Sequence, residues 1–146
     1  MGNDFLKSLN LEEKTENEVK FLNSLVLAHM GDAVYEVYIR QYVLHKYGGY
    51  VNNIHKKSTK FVKASAQARI VHGLSDEFSE EEWGVIKRGR NNKSSTVPKN
   101  ANISDYKYAT GFEALIGYLY LTNKKERIEE IILKGINILE EELEAN

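Results

Sequence analysis

The chain has 146 residues, 42% of them hydrophobic and 28% charged, with a net charge of −1, a composition that fits one globular domain with a real core. Ten glycines and one proline exclude a collagen-like or proline-rich chain, and the absence of cysteine excludes disulfides, thiolate metal sites and a cysteine nucleophile. No run of about 18 apolar residues is present to span a membrane, and Met1 to Lys7 lacks the basic-then-apolar pattern of a leader, so the cytoplasm is the expected location.

The elements read as helices from end to end. Thr15 and Glu18 form a capping box, followed at helical spacing by Val19, Leu22, Leu25, Val26 and His29 or Met30. Gly31 either interrupts this helix or lets another element approach closely. A second pattern runs through Ala33, Val34, Val37, Tyr38, Gln41 and Leu44 and ends at Gly48-Gly49. Val51 to His55 is a short turn or helix. Ser58 is expected to start a helix through Phe61, Val62, Ala68 and Val71, closed by Gly73. Ser79 and Glu82 form another capping box, for a helix that runs out near Gly89. Residues 91–102 are a loop rich in Asn and Ser, with Pro98 disfavouring helix at Val97. Residues 104–122 form the most apolar helix, and the segment from Asn123 to Glu126 caps a last amphipathic one. With no repeat, linker or strand alternation, the expected fold class is all-α. It is a single domain over 1–146, with its core at about 17–143.

Two acids stand alone in the two most apolar segments. Asp32 is the one charged residue between Lys20 and Glu36, and Glu113 the one between Lys107 and Lys124. A carboxylate among apolar residues is costly unless a cation, a metal or hydrogen bonds compensate it. For Asp32 the ordinary readings are a helix cap or a charge ladder with Glu36 and Arg40 at four-residue spacing. Glu113 lies mid-helix, and its neighbours one turn away, Ala109 and Gly117, cannot pair with it, so its partner must come from another element. Two such acids suggest a shared metal site. Oxygen ligands without cysteine or paired histidine suit Mg²⁺, with Mn²⁺ as the substitute.

The four histidines form no zinc motif, and no phosphate-binding glycine loop is present. Two basic clusters lack acids. One holds His55, Lys56, Lys57, Lys60 and Lys63. The other is the run from Lys87 through Arg88, Gly89, Arg90, Asn91 and Asn92 to Lys93. A charge run is usually a solvated face. This one joins cations to the neutral donors of an Asn/Ser/Thr loop, a mixture that suits phosphate and 2′-hydroxyl contacts to an RNA duplex.

The segment Met30-Gly-Asp-Ala-Val-Tyr-Glu36 resembles the signature of the ribonuclease III family, Leu-Glu-Phe-Leu-Gly-Asp-Ala-Val-Leu. Phe112-Glu-Ala-Leu-Ile-Gly-Tyr-Leu-Tyr-Leu121 resembles that family's second motif. The short bacterial Mini-ribonuclease III branch is the closer likeness. It is carried also by His55-Lys-Lys-Ser58, Lys87-Arg-Gly-Arg-Asn-Asn-Lys-Ser94, Pro98-Lys-Asn100 and Tyr106-Lys-Tyr-Ala-Thr110. The resemblance covers roughly residues 20–135. It implies an all-helical homodimer, a bare catalytic domain without an appended RNA-binding domain, cutting both strands of duplex RNA with Mg²⁺ to leave 5′-phosphates. It also implies maturation of 23S ribosomal RNA precursor ends, with a ribosomal protein as a further candidate partner.

By the same resemblance Asp32 and Glu113 are the catalytic acids and metal ligands, and His55, Lys56, Lys57, Ser58, Lys60, Arg88, Arg90, Asn91 and Lys93 contact RNA. Two family acids are replaced, by Ala28 four residues before Asp32 and by Thr110 three before Glu113. Those losses fit the short branch, and they also keep open a non-cutting RNA-binding protein of the same fold. A purely structural helical module is the third reading, disfavoured by the basic loop. Within the dimer, the aromatic face of Tyr35, Tyr38 and Tyr42 is the expected contact, with an internal core role as its alternative.

Overall fold

The computed structural model describes residues 4–93 and 97–145, and among them it contains eight α-helices and no strand. They are α1 (Asp4–Ser8), α2 (Glu16–Lys20), α3 (Ser24–Tyr47), α4 (Val51–Val62), α5 (Ala64–Gly73), α6 (Glu80–Arg90), α7 (Ile103–Leu121) and α8 (Lys125–Ala145). The all-α expectation holds.

Helix α7 is the hub. It is apolar on every side, as a helix enclosed by others must be, and from Ala109 to Leu119 every residue except Glu113 is buried. It packs against α3, α6, α5, α8 and α2. Asn102 opens it, its Oδ1 accepting from the Asp105 amide at 3.0 Å. Asn123 closes it in the left-handed conformation (φ 60°), with the Lys124 amide reaching back to the Leu119 carbonyl at 2.8 Å. Asn123 therefore ends α7 rather than capping α8 as expected, because Asn tolerates the left-handed turn that a helix C-terminus needs.

Glycine sets the distance between α3 and α7. A Cβ at Gly31 would overlap the Glu113 carbonyl oxygen, and one at Gly117 would overlap the Leu27 carbonyl oxygen. The two backbones touch there. Of the two roles open to Gly31, close approach is the one the structure shows, and α3 runs through it unbroken. The interruption lies earlier. The Thr15 capping box starts α2, but that helix stops at Lys20, and Asn23 caps α3 by accepting from the Leu25 amide at 2.8 Å.

A second boundary also differs from expectation. Helix α4 begins at Val51, so Ser58 is a mid-helix residue, and the break falls at Lys63, whose ψ of 154° ends α4 and opens α5. In α4 the side chains of Ile54, Ser58 and Phe61 turn inward while His55, Lys56 and Lys60 are exposed, the one-turn sidedness of an amphipathic helix. Tyr35 is fully enclosed (0% exposed). It belongs to the core and is withdrawn from the expected dimer face. Tyr38 and Tyr42 are half-buried against α8, where their hydroxyls donate to Glu129 and Glu140.

Candidate active site

Asp32 sits in the middle of α3, one residue after the glycine contact, and Glu113 in the middle of α7, at the contact itself. The crossing brings the Asp32 carboxyl close enough to Glu113 to act on it directly. Asp32 is exposed and Glu113 is half-buried, so the pair opens to solvent on the Asp32 side. Neither acid takes part in an ion pair among the described residues; the Glu36–Arg40 rung of the expected ladder forms at 3.0 Å without Asp32.

Burial pushes the Glu113 carboxyl up to about 8, and the Asp32 carboxyl beside it adds to the rise. The opposing influence is Gln67, whose Nε2 donates to Glu113 Oε2 at 3.4 Å and to the Val62 carbonyl at 2.8 Å. Glu36, one turn beyond Asp32 on α3, contributes further negative field. Two acids this close, with no cationic side chain between them, share a proton or bind a cation.

The replaced family positions line the same helices. Ala28 is buried one turn before Asp32, and Thr110 is buried one turn before Glu113, its hydroxyl donating to the Tyr106 carbonyl at 3.0 Å. Neither offers an oxygen to the pair, and no cluster of three or more His, Asp or Glu ligands occurs among the described residues. A divalent cation fits the two carboxylates as a site in which water and substrate oxygens complete the coordination, which Mg²⁺ accepts readily.

Residues 25–124 match the ribonuclease III domain family. This chain belongs to the ribonuclease III family. It is 53% identical over 131 residues to the Mini-ribonuclease 3 of Clostridium tetani, covering 89% of this chain and 87% of that protein. It is 40% identical over 133 residues to the Mini-ribonuclease 3 of Staphylococcus aureus, covering 90% and 99%. A crystal structure of a Fusobacterium nucleatum protein superposes with a TM-score of 0.72 at 34% identity, covering 80% of this chain and 93% of that one. The short-branch resemblance of the motifs is thus matched by relatives along nearly the whole chain, and the all-helical arrangement around α7 is a ribonuclease III fold.

The expected RNA-contact residues of this ribonuclease III domain separate into three groups. His55, Lys56, Lys60, Asn91 and Lys93 are exposed. Lys57 and Arg90 are half-buried and lie over aromatic rings, Lys57 Nζ 4.3 Å from the Tyr47 centroid and the Arg90 guanidinium 5.5 Å from that of Tyr108. Arg90 also donates to Asn91 Oδ1 at 3.1 Å. None of these cations forms an ion pair with an acid among the described residues, whereas Arg40, Lys46, Arg69, Lys124, Arg127 and Lys134 all do.

Ser58 and Arg88 make up the third group. Ser58 is only 5% exposed, so it is corrected from an RNA contact to an interior residue of α4. Arg88 is half-buried and donates from Nη1 to the Lys20 carbonyl at 2.7 Å, tying α6 to the end of α2. Ser94, the last residue of the basic-loop motif, lies outside the described residues. The sequence reading missed Gln67, which carries no charge and belongs to no motif quoted above.

Proposed function

We propose that this protein is a Mg²⁺-dependent endoribonuclease of duplex RNA, with Asp32 and Glu113 as its catalytic acids and metal ligands. Family membership makes it an endoribonuclease. The observation that supports the finer reading is the Asp32–Glu113 pair, two carboxyls held together by a backbone-to-backbone crossing and left without a cation. A domain that only held RNA would gain nothing from keeping these two acids adjacent and uncompensated.

When bound there, Mg²⁺ would supply the charge that acidifies a water and offsets the negative charge growing on the scissile phosphate. Asp32, on the exposed side, would face the incoming backbone. Glu113, half-buried, is held against shifting by the packing of α7. Exposed His55, Lys56 and Lys60 on α4, with Arg90 and Lys93 at the end of α6, would take the phosphates of the duplex. In-line attack by water leaves a 5′-phosphate and a 3′-hydroxyl, and the precursor ends of 23S ribosomal RNA are the proposed natural substrate.

We further assign a homodimer. Val26, Met30, Ala33, Val37, Gln41 and Leu44 form a stripe at helical spacing on α3, with Val26, Val37 and Leu44 exposed at 49%, 65% and 45%. A two-fold axis through this face would set two acid pairs against the two strands of one duplex.

The experiment is incubation of the protein with a long duplex RNA in Mg²⁺, in Mn²⁺ and in EDTA, with the product ends identified. Discrete fragments bearing 5′-phosphates in both metals and intact RNA in EDTA are expected. RNA that is bound yet remains intact in Mg²⁺ and in Mn²⁺ would move the protein to the non-cutting reading.

A further inference from the structure

Helix α4 carries three of the exposed basic residues, and its C-terminal end is fastened at two points. A helix leaves its last carbonyls without intrahelical partners. Here the Phe61 carbonyl accepts from the Tyr35 hydroxyl at 2.8 Å, and the Val62 carbonyl accepts from Gln67 Nε2 at 2.8 Å. Both donors belong to the acid site. Tyr35 lies on α3 three residues after Asp32 and packs edge-on against Phe112, the neighbour of Glu113, with ring centroids 5.1 Å apart at 84°. Gln67 gives its second amide hydrogen to Glu113 itself.

The chemistry fixes how Gln67 is oriented. The Val62 carbonyl is an acceptor whatever the state of Glu113, so only the NH₂ end can face it. A flipped amide would set its oxygen against that carbonyl. That orientation leaves Gln67 Oε1 buried without a hydrogen-bond partner among the described residues, which is costly for a polar group. Gln67 is 2% exposed. An apolar residue of similar volume would avoid that cost, which argues that the donor end is kept for what it holds.

We infer that Gln67 is a positioning residue which, with Tyr35, locks the basic helix α4 in register with the Asp32–Glu113 pair. The consequence is a fixed offset between the phosphates gripped by α4 and the phosphate presented to the acids. Loss of either hook would let the two parts of the site drift relative to each other. A misplacement of about 1 Å at a reacting centre costs up to about 100-fold in rate. This role rests on the acid-pair reading above.

The test uses the full chain with Gln67→Met, which keeps volume and removes the donor, and Tyr35→Phe, which removes only a hydroxyl. A duplex RNA of defined sequence is cut under saturating conditions with Mg²⁺, and the cut positions are mapped. RNA affinity is measured in EDTA, and Mn²⁺ uptake by the RNA-free protein is followed by electron paramagnetic resonance. Gln67→Met is expected to cut at least ten-fold more slowly, at a broader spread of positions. Its Mn²⁺ binding should weaken several-fold and its RNA affinity in EDTA stay within two-fold. Tyr35→Phe should broaden the cut positions with a smaller loss of rate, and it serves as the readout if Gln67→Met does not fold.

Native rate, native cut positions and native Mn²⁺ binding in Gln67→Met, or in Tyr35→Phe if it alone folds, would overturn the proposal. An Asp32→Asn control separates the two layers. If that control is inactive while Gln67→Met is native, only the positioning role fails. If Asp32→Asn cuts like the native chain, the acid-pair reading fails and the positioning role goes with it.

Discussion

Glu82 is buried and Glu113 half-buried, and their surroundings are opposite. Glu82, at the start of α6, is 7% exposed, completes the Ser79 capping box, and receives two hydrogen bonds from Arg127, at 2.8 and 2.9 Å. Burial alone would raise its carboxyl, but the Arg127 guanidinium and the Ser79 amide outweigh burial and hold it below the usual range. Glu113 faces another acid, and among the described residues the neutral amide of Gln67 is the side chain that offsets this. Glu82 is an acid whose charge the protein has already answered. Glu113 is an acid whose charge is not answered by a cation among the described residues, and under the proposed function that difference separates a structural carboxylate from a catalytic one.

The comparison can be broken at its geometric root. Gly31→Ala would drive a methyl group into the Glu113 carbonyl. Separating α3 from α7 should cost roughly 3 kcal/mol and abolish cleavage in whatever fraction stays folded. Chemical denaturation with a parallel cleavage assay checks both. Retained activity and stability would show that the crossing does not set the acid pair.

Arg127→Ala acts on the other acid. It strands Glu82 in the interior and removes the bond to the Glu77 carbonyl, and should cost about 2–3 kcal/mol. Cleavage per folded molecule should be unchanged. A fall in specific activity larger than the unfolded fraction would mean that the two regions are coupled.

Their pH dependences should differ in sign. The depressed carboxyl of Glu82 contributes stability that is present above its ordinary value of 4.5 and is lost as pH falls through the lower folded value. The Glu113 carboxyl, raised to about 8, makes the folded state hold more protons than the unfolded one between about 4.5 and 8. Its contribution is therefore lost as pH rises through that window. Melting of the metal-free protein should decline from pH 5 to 8 by a few degrees, and Glu113→Gln should flatten the decline. An unchanged slope in that variant would contradict the raised value.

The smallest effect belongs to the surface. Lys60→Ala should weaken duplex binding a few-fold and lower the salt slope by about one unit, leaving the melting temperature in place. Titrations at three salt concentrations read this directly, and an unaltered slope would remove α4 from the RNA surface.

Much of this was legible in the chain, and the boundary of legibility is physical. Asp32 and Glu113 stood out because a lone charge in an apolar run violates a composition rule that holds locally. The Thr15 and Ser79 capping boxes are likewise short-range chemistry, and both occur as expected. What failed depended on helix phase or on partners far along the chain. Taking α4 to begin at Ser58 instead of Val51 hid that Ser58 shares the buried face with Phe61. Arg88 looked like part of a basic run, and its carbonyl partner at Lys20 is 68 residues away. Tyr35 could be core or interface by spacing, and its full enclosure, with its hydroxyl donating to the Phe61 carbonyl, decides for core. Gln67 had no signal at all, because its meaning lies in two acceptors contributed by α4 and α7.

The measurement that bears most directly on the acid pair is cleavage of one duplex RNA in Mg²⁺ by four proteins: the native chain, Asp32→Asn, Glu113→Gln and Glu82→Gln, each with its RNA affinity taken in EDTA. The expected result is loss of cleavage by about 1,000-fold or more in the first two variants with RNA binding intact, and cleavage retained by folded Glu82→Gln. Cutting at the native rate by Asp32→Asn or Glu113→Gln would contradict the account.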